Sequence, residues 1–231
     1  MPNHITNVIT ISDVSDERVA EILAAIKVDD VEQNSIDFNK LISMPPELNV
    51  SKGSRSHKAL ELYRAFHLEQ APLSAKKDFM SKTEYNNAVS ALNKRYEELS
   101  NGDTEMLSFG KQLFSNVQKH GVPDWYDWSV KNWGSKWNSY GYDAPAFHDA
   151  SNQIEFLTAW SSVQPILKKL SGKFPDATFG YKWADEDIGA NVGEQTWQNG
   201  EIIGEHIPEN HSKEAYEMAA EIKCVDLYKF L

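Results

Sequence analysis

The chain has 231 residues and a mass of 26.2 kDa, which is enough for one sizeable core and, at roughly 150 residues per domain, for a smaller second unit. Its 41% hydrophobic and 25% charged residues are typical of a folded globular protein and exclude wholesale disorder and collagen-like repeats. The single Cys224 excludes an internal disulfide. Because the sequence has neither an apolar run of about 18 residues nor a signal-peptide pattern, we expect a cytoplasmic protein without a membrane partner.

The first predicted elements are a strand and a helix. Residues 7–11 alternate with β-branched side chains, which predicts a strand. Ser15 is the predicted N-cap of the helix that follows, in which apolar residues recur at helical spacing. These residues are Val19, Ile22, Leu23 and Ile26. Ile36, Phe38 and Leu41 fit a second short strand over residues 36–41, which Pro45 and Pro46 would end.

The middle of the chain has a purely helical periodicity, which predicts three helices between residues 55 and 120. The apolar stripes are Ala59, Leu62, Tyr63 and Phe66; then Tyr85, Val89, Leu92, Tyr96 and Leu99; then Met106, Phe109, Leu113 and Val117. Gly121 and Pro123 are a strong stop signal. We therefore predict a helical insertion over residues 51–122, packed on a core formed by residues 1–50 and 123–231.

The last third of the chain returns to mixed structure. Residues 154–160 alternate as a strand, and Ser161 or Ser162 is the predicted cap of a short helix with Pro165 in its first turn. A strand over residues 178–183 and a hairpin at Asn199-Gly200 follow, and the last helix is predicted to start at Ser212. The expected fold class is α+β, a ferredoxin-like two-layer sandwich with split βαβ units, a mostly antiparallel sheet, helices on one sheet face and an all-helical insertion.

The charge is unevenly distributed along the chain. Residues 51–120 have 8 acidic and 11 basic residues, whereas the protein as a whole has a net charge of −11. Such an acidic protein is not expected to bind nucleic acid in bulk. The basic segment is either a solvated helix surface or a surface that docks a partner. The candidate partner-binding residues are Lys76, Lys77, Lys82, Lys94 and Arg95, and Lys111 and Lys119 are also expected to be exposed.

A tryptophan-rich stretch, residues 124–142, contains four of the seven tryptophans. At least one of its rings is expected to enter the core, and Gly134 is the predicted helix C-cap. Lys136 between Trp133 and Trp137 also suits a binding site, with the two indoles as stacking walls and the lysine as an anion contact. Tyr140, in the following loop, belongs to the same candidate site. Structural packing and ligand binding both remain open for this stretch.

An acidic turn occupies residues 183–194. Its glycine spacing excludes an EF-hand, and the alternatives are a solvated β-turn, a divalent-cation site, or a pair of carboxylates for acid/base work. Trp183, Asp185 and Asp187 are the candidate residues. The sequence contains none of the common zinc, serine-hydrolase or P-loop motifs, and we predict no metal and no cofactor.

Several segments together resemble the YubB family of phage and conjugative-plasmid proteins. The matching segments are MPNHITN, IDFNKLISMP, WYDWSVKNWGSKWN, IEFLTAWSS and YKWADEDIGANVGE. They cover roughly residues 1–46 and 123–206. The resemblance implies a ferredoxin-like domain and a setting inside bacteria, and it supplies no catalytic residues.

Two functions are therefore expected from the sequence. The first is an accessory protein of a phage or plasmid that binds a macromolecule of the host or the element, with a protein as partner and a counter-defence or DNA-mimic role. The alternative is an enzyme or small-ligand module with a pocket between the Trp133–Trp137 loop and residues 185–194 of the acidic turn. This pocket requires the strand at 178–183 to lie beside the strand at 154–160.

Overall fold

The computed structural model describes residues 3–29, 35–101, 103, 105–141 and 152–226, so Tyr142 of the tryptophan-rich stretch lies outside the described residues. The chain divides into two compact units. One, the sheet unit, contains Met1–Met44 and Ser129–Leu231, and the other, the helical unit, contains Pro45–Trp128. The predicted borders at 50 and 123 differ from these. Within the helical unit, the Glu47 carbonyl accepts a hydrogen bond from Asn116 Nδ2 at 3.0 Å.

Seven helices and five strands are present in the described residues. The helices are α1 (Asp16–Ile26), α2 (Ser54–Ala75), α3 (Lys82–Leu99), α4 (Met106–His120), α5 (Trp125–Trp133), α6 (Gln164–Lys173) and α7 (Lys213–Ile222). The strands are β1 (His4–Ser12), β2 (Gln153–Ala159), β3 (Thr178–Asp185), β4 (Gly193–Gln198) and β5 (Glu201–His206). This mixture confirms the predicted α+β fold class.

The five strands form one sheet in the order β2-β1-β3-β4-β5, and every neighbouring pair is antiparallel. β1 lies between β2 and β3, so these two strands run parallel to each other. Since α6 connects them, β2, α6 and β3 form a split βαβ unit around β1. The prediction that β2 and β3 are neighbours is therefore wrong, because the strand from the start of the chain takes the central position.

One face of the sheet forms the main core. Ile9 of β1 lies opposite Ile154 of β2 and Tyr181 of β3, and all three are fully buried. The alternation of strand side chains places Ile5, Ile11, Phe156 and Phe179 on the same face. α6 covers this face with Ile166, Leu167 and Leu170.

α7 covers the opposite face, whereas the sequence predicted helices on one face only. Ala215 and Ala219 of α7 pack with Ala184 of β3, and Val8 of β1 contacts the same cluster. The side chains of Val8 and Ala184 lie on the face of the sheet opposite to Ile9 and Tyr181. Because these side chains are small or apolar, α7 packs against the sheet at this place. α7 begins at Lys213, one residue after the predicted start, and Ser212 caps it by accepting a hydrogen bond from the Ala215 amide.

Two local predictions were wrong. Residues 36–41 form no strand, because the Asp37 side chain accepts from the Asn39 amide and turns the chain into a short 3₁₀ helix at Phe38–Lys40. At the start of α6, neither Ser161 nor Ser162 is the cap. The N-cap is Val163, and its amide donates instead to the Tyr181 hydroxyl at 2.9 Å.

The helical unit is built on the close packing of α2 and α4. A side chain at Gly110 would collide with the Ala59 carbonyl oxygen, so only glycine permits this approach. α3 packs more loosely, since Tyr96 is its only buried side chain. Leu99, predicted to be buried in the same stripe, is exposed. In the described residues no helix combines the length and the apolar character needed to cross a bilayer.

Candidate functional site

The tryptophan-rich helix contributes its best-buried rings to the core. Trp133 is 4% exposed, its Nε1 donates to the Ile42 carbonyl at 2.9 Å, and its ring meets Phe38 edge-on. The prediction of Trp133 as a stacking wall is therefore wrong, because a buried indole with a satisfied N–H offers no face to a ligand. Gly134, at φ +80°, ends the helix as predicted.

The loop that follows brings a lysine onto two indole rings. Lys136 Nζ lies 4.5 Å from the centroid of Trp137 and 4.8 Å from that of Trp160. Trp137 is 38% exposed and Trp160 is 40% exposed. Trp160 was not predicted as a site residue, because the alternation of residues 154–160 placed it in a strand. β2 ends one residue earlier, at Ala159.

This loop is fixed against the edge of the sheet. Tyr140 exchanges two backbone hydrogen bonds with Leu157 of β2, and its hydroxyl lies 2.8 Å from His4 Nδ1. Ser135 Oγ accepts from the Ala159 amide at 3.2 Å. The loop therefore holds Lys136 and Trp137 in place without a regular secondary structure.

The acidic turn is organised around a buried carboxylate. Asp185 accepts hydrogen bonds from Asn3 Nδ2, the Asp187 amide and Asn191 Nδ2, at 3.1 to 3.2 Å. Trp183 is also buried and stacks on Tyr181. Asp187 is exposed. The geometry makes Asp185 an anchor of the turn, and neither it nor Trp183 offers an accessible surface.

The loop and the turn meet the start of β1 from two sides. The Trp160 amide donates to the Asn3 carbonyl, and the Glu186 amide donates to the His4 carbonyl, both at 2.9 Å. The start of β1 therefore lies between the two sides of the predicted pocket, which are the Trp133–Trp137 loop and the acidic turn. No group of three metal-ligating side chains is present among the residues that the structure describes.

A shallow groove of about 430 Å³ lies on the sheet face that α7 covers in part. Its charged residues are mostly paired: Lys182 Nζ lies 3.0 Å from Glu221 and 3.5 Å from Glu194, and His206 Nε2 lies 2.9 Å from Glu214. The hydrogen bond to Glu221 raises the pKa of Lys182. These ion pairs connect α7 with β3 and β5.

The basic residues predicted to bind a partner lie on the hairpin formed by α2 and α3. Lys76, Lys77, Lys82 and Lys94 are exposed, and among the described residues none of them has a carboxylate within ion-pair distance. Arg95 differs, because its Nη1 lies 2.9 Å from Glu69. Lys111 and Lys119 are exposed as predicted, and Lys119 pairs with Glu47.

The connection between the two helices also presents an aromatic ring to solvent. Phe79 is 88% exposed, and it lies in a 3₁₀ turn, Lys77–Phe79, directly after Lys76. Lys77 Nζ lies 5.9 Å from the centroid of Tyr85. We call residues 76–82 the hairpin tip. Phe79 was not predicted as a site residue, because it lies outside the helical stripes.

The match to a protein-family model agrees with the fold of the sheet unit. A family model described as "Ferredoxin-like domain in Api92-like protein" matches residues 133–226. The chain is also similar to a crystal structure of protein api92 from Yersinia pseudotuberculosis, with a TM-score of 0.41 and 10% identity over 92% of this chain and 100% of that one. No curated protein matches the chain. The resemblance to the YubB family and the phage or plasmid setting stay predictions.

Proposed function

We propose that this protein is an accessory protein of a phage or plasmid that acts in the cytoplasm of a bacterial host by binding a protein through the hairpin tip. The observation that carries the proposal is Phe79, a ring 88% exposed to solvent and flanked in sequence by Lys76, Lys77 and Lys82.

An exposed aromatic side chain is the kind of residue that anchors protein interfaces, since burying it releases a large apolar area. The surrounding lysines have no ion-pair partner among the described residues. They are therefore available to meet carboxylates on a partner and to steer its approach. The complementary surface is an apolar pocket with an acidic rim.

The second candidate, an enzyme or small-ligand module, is supported less well. Of the residues predicted for its pocket, Trp133, Trp183 and Asp185 are buried, whereas Asp187 is exposed. Asp185 is also engaged by three hydrogen-bond donors. These contacts favour binding of a macromolecule at the helical unit over chemistry at the acidic turn.

The experiment is a capture of bacterial proteins on the immobilised full chain at low and high salt. The double reversal K76E/K77E and the single change F79S are compared with K168E/K169E, which reverses two exposed lysines of α6. We expect the control to retain the same partner as the wild type, while F79S loses about 2 kcal/mol of binding or more. Equal retention by all four proteins contradicts the proposal.

A further inference from the structure

The ammonium of Lys136 is held by aromatic faces. Its Nζ lies within 5 Å of two ring centroids, those of Trp137 and Trp160. Among the described residues no carboxylate or carbonyl oxygen accepts a hydrogen bond from it. A cation over an indole face is attracted by the negative face of the ring, and tryptophan is the strongest of the aromatic partners.

Trp160 has an unusual backbone conformation, which places its indole against Lys136. Its φ is +74°, in the left-handed region, where a bulky side chain is an outlier and where strain often marks a functional site. The Trp160 amide donates to the Asn3 carbonyl, and Ser135 Oγ accepts from the Ala159 amide. These bonds hold the turn that takes the indole out of the strand and onto Lys136.

The negative net charge of the sheet unit favours a cationic ligand. Residues 1–44 and 129–231 contain 23 acidic and 12 basic residues. A strongly acidic unit attracts cations and repels nucleotides and other anions. This argues against the predicted role of Lys136 as an anion contact.

We propose that Trp137 and Trp160 form a two-walled site for an organic cation of the quaternary ammonium type, and that the Lys136 ammonium occupies this site when no ligand is bound. A trimethylammonium group carries its charge on apolar methyl groups and contacts indole faces with them, whereas a lysine ammonium prefers water. The ligand binds when Lys136 moves away from the rings. The proposal is independent of the hairpin tip.

The test is a calorimetric titration of the full chain with choline and with its neutral isostere 3,3-dimethylbutan-1-ol. We expect choline alone to bind, because only the cation interacts with the ring faces. The K136M variant removes the competing ammonium. If Lys136 fills the site for nine-tenths of the time, its loss strengthens choline binding by about tenfold. The control is K131M, which removes an exposed lysine of α5.

W137L and W160L are each expected to abolish choline binding, and thermal unfolding establishes that each variant is folded. If W160L does not fold, W137L carries the test. A peptide with trimethyl-lysine, compared with its unmodified form, distinguishes a protein side chain from a small molecule as the source of the cation. Equal binding of choline and its isostere to K136M, or no binding of either, overturns the proposal.

Discussion

The Tyr181 hydroxyl donates a 2.7 Å hydrogen bond to Asn7 Oδ1 in the centre of the sheet unit. The same hydroxyl accepts from the Val163 amide, while Asn7 Nδ2 donates to Thr158 Oγ1 at 2.9 Å. Burial raises the pKa of Tyr181, so the hydroxyl stays protonated. This network joins the three strands β1, β2 and β3 to the start of α6.

Replacing this hydroxyl is expected to destabilise the sheet unit. Y181F leaves Asn7 Oδ1 without its donor and the Val163 amide without its acceptor, in a place that water does not reach. The expected loss is about 1–3 kcal/mol in the free energy of unfolding, measured by urea denaturation. Y85F, at a half-buried tyrosine of α3, is the control and should change stability by less than about 0.5 kcal/mol. Similar losses in both variants would contradict the role of the network.

The two aspartates of the acidic turn are expected to differ in the same measurement. D185A removes the acceptor of three hydrogen bonds and should cost about 1–3 kcal/mol, because Asn3, Asn191 and the Asp187 amide lose their partner. D187A removes an exposed carboxylate and should stay within about 0.5 kcal/mol of the wild type. If D187A is the more damaging change, the assignment of Asp185 as the anchor is wrong.

Glu47 makes a pH-dependent contribution to the helical unit. Hydrogen bonding from Lys119, then from its own backbone amide and from His120, lowers the pKa of Glu47 from 4.5 to about 2. Since the pKa is lower in the folded state, this contribution to stability is fully present above pH 4.5 and is lost as the pH falls toward 2. We expect E47Q to be less stable than the wild type at pH 6 and equally stable near pH 2, by thermal unfolding. A difference that persists unchanged at pH 2 would contradict this linkage.

The hairpin tip is expected to be dispensable for folding. Lys76 and Lys77 are exposed and make no ion pair in the described residues, so K76E/K77E should change the free energy of unfolding by about 0.5 kcal/mol or less. F79S should be equally mild, because the ring is already in water. Unfolding of either variant in a calorimetric scan would show that these side chains have a structural role.

Local patterns predicted most elements of the fold. The cap at Ser15, the start of the last helix near Ser212 and the left-handed Asn199-Gly200 turn, with φ of +48° and +79°, follow from the short-range chemistry of single residues. The placement of β1 between β2 and β3 did not follow, because strand order depends on contacts between distant segments. The pairing of Ile9 with Ile154 and Tyr181 has no local signal.

The candidate sites were predicted less completely than the fold. The sequence identified Lys136 and Trp137, yet not Trp160, because a strand that ends in a left-handed residue looks the same in its alternation as one that continues. The burial of Trp133 and Trp183 could not be predicted from the sequence either, since tryptophan occurs in cores and on binding surfaces alike. Phe79 carries no periodic signal and required the structure to show its exposure.

The central claim, that the hairpin tip contacts a protein partner, is tested most directly by placing the photo-crosslinking residue p-benzoylphenylalanine at position 79 of the full chain in bacterial cells. The control carries it at the exposed Ile203 of β5. We predict one discrete adduct from position 79, absent from position 203 and lost when K76E/K77E is added. No adduct from position 79, or the same adducts from both positions, would contradict the account.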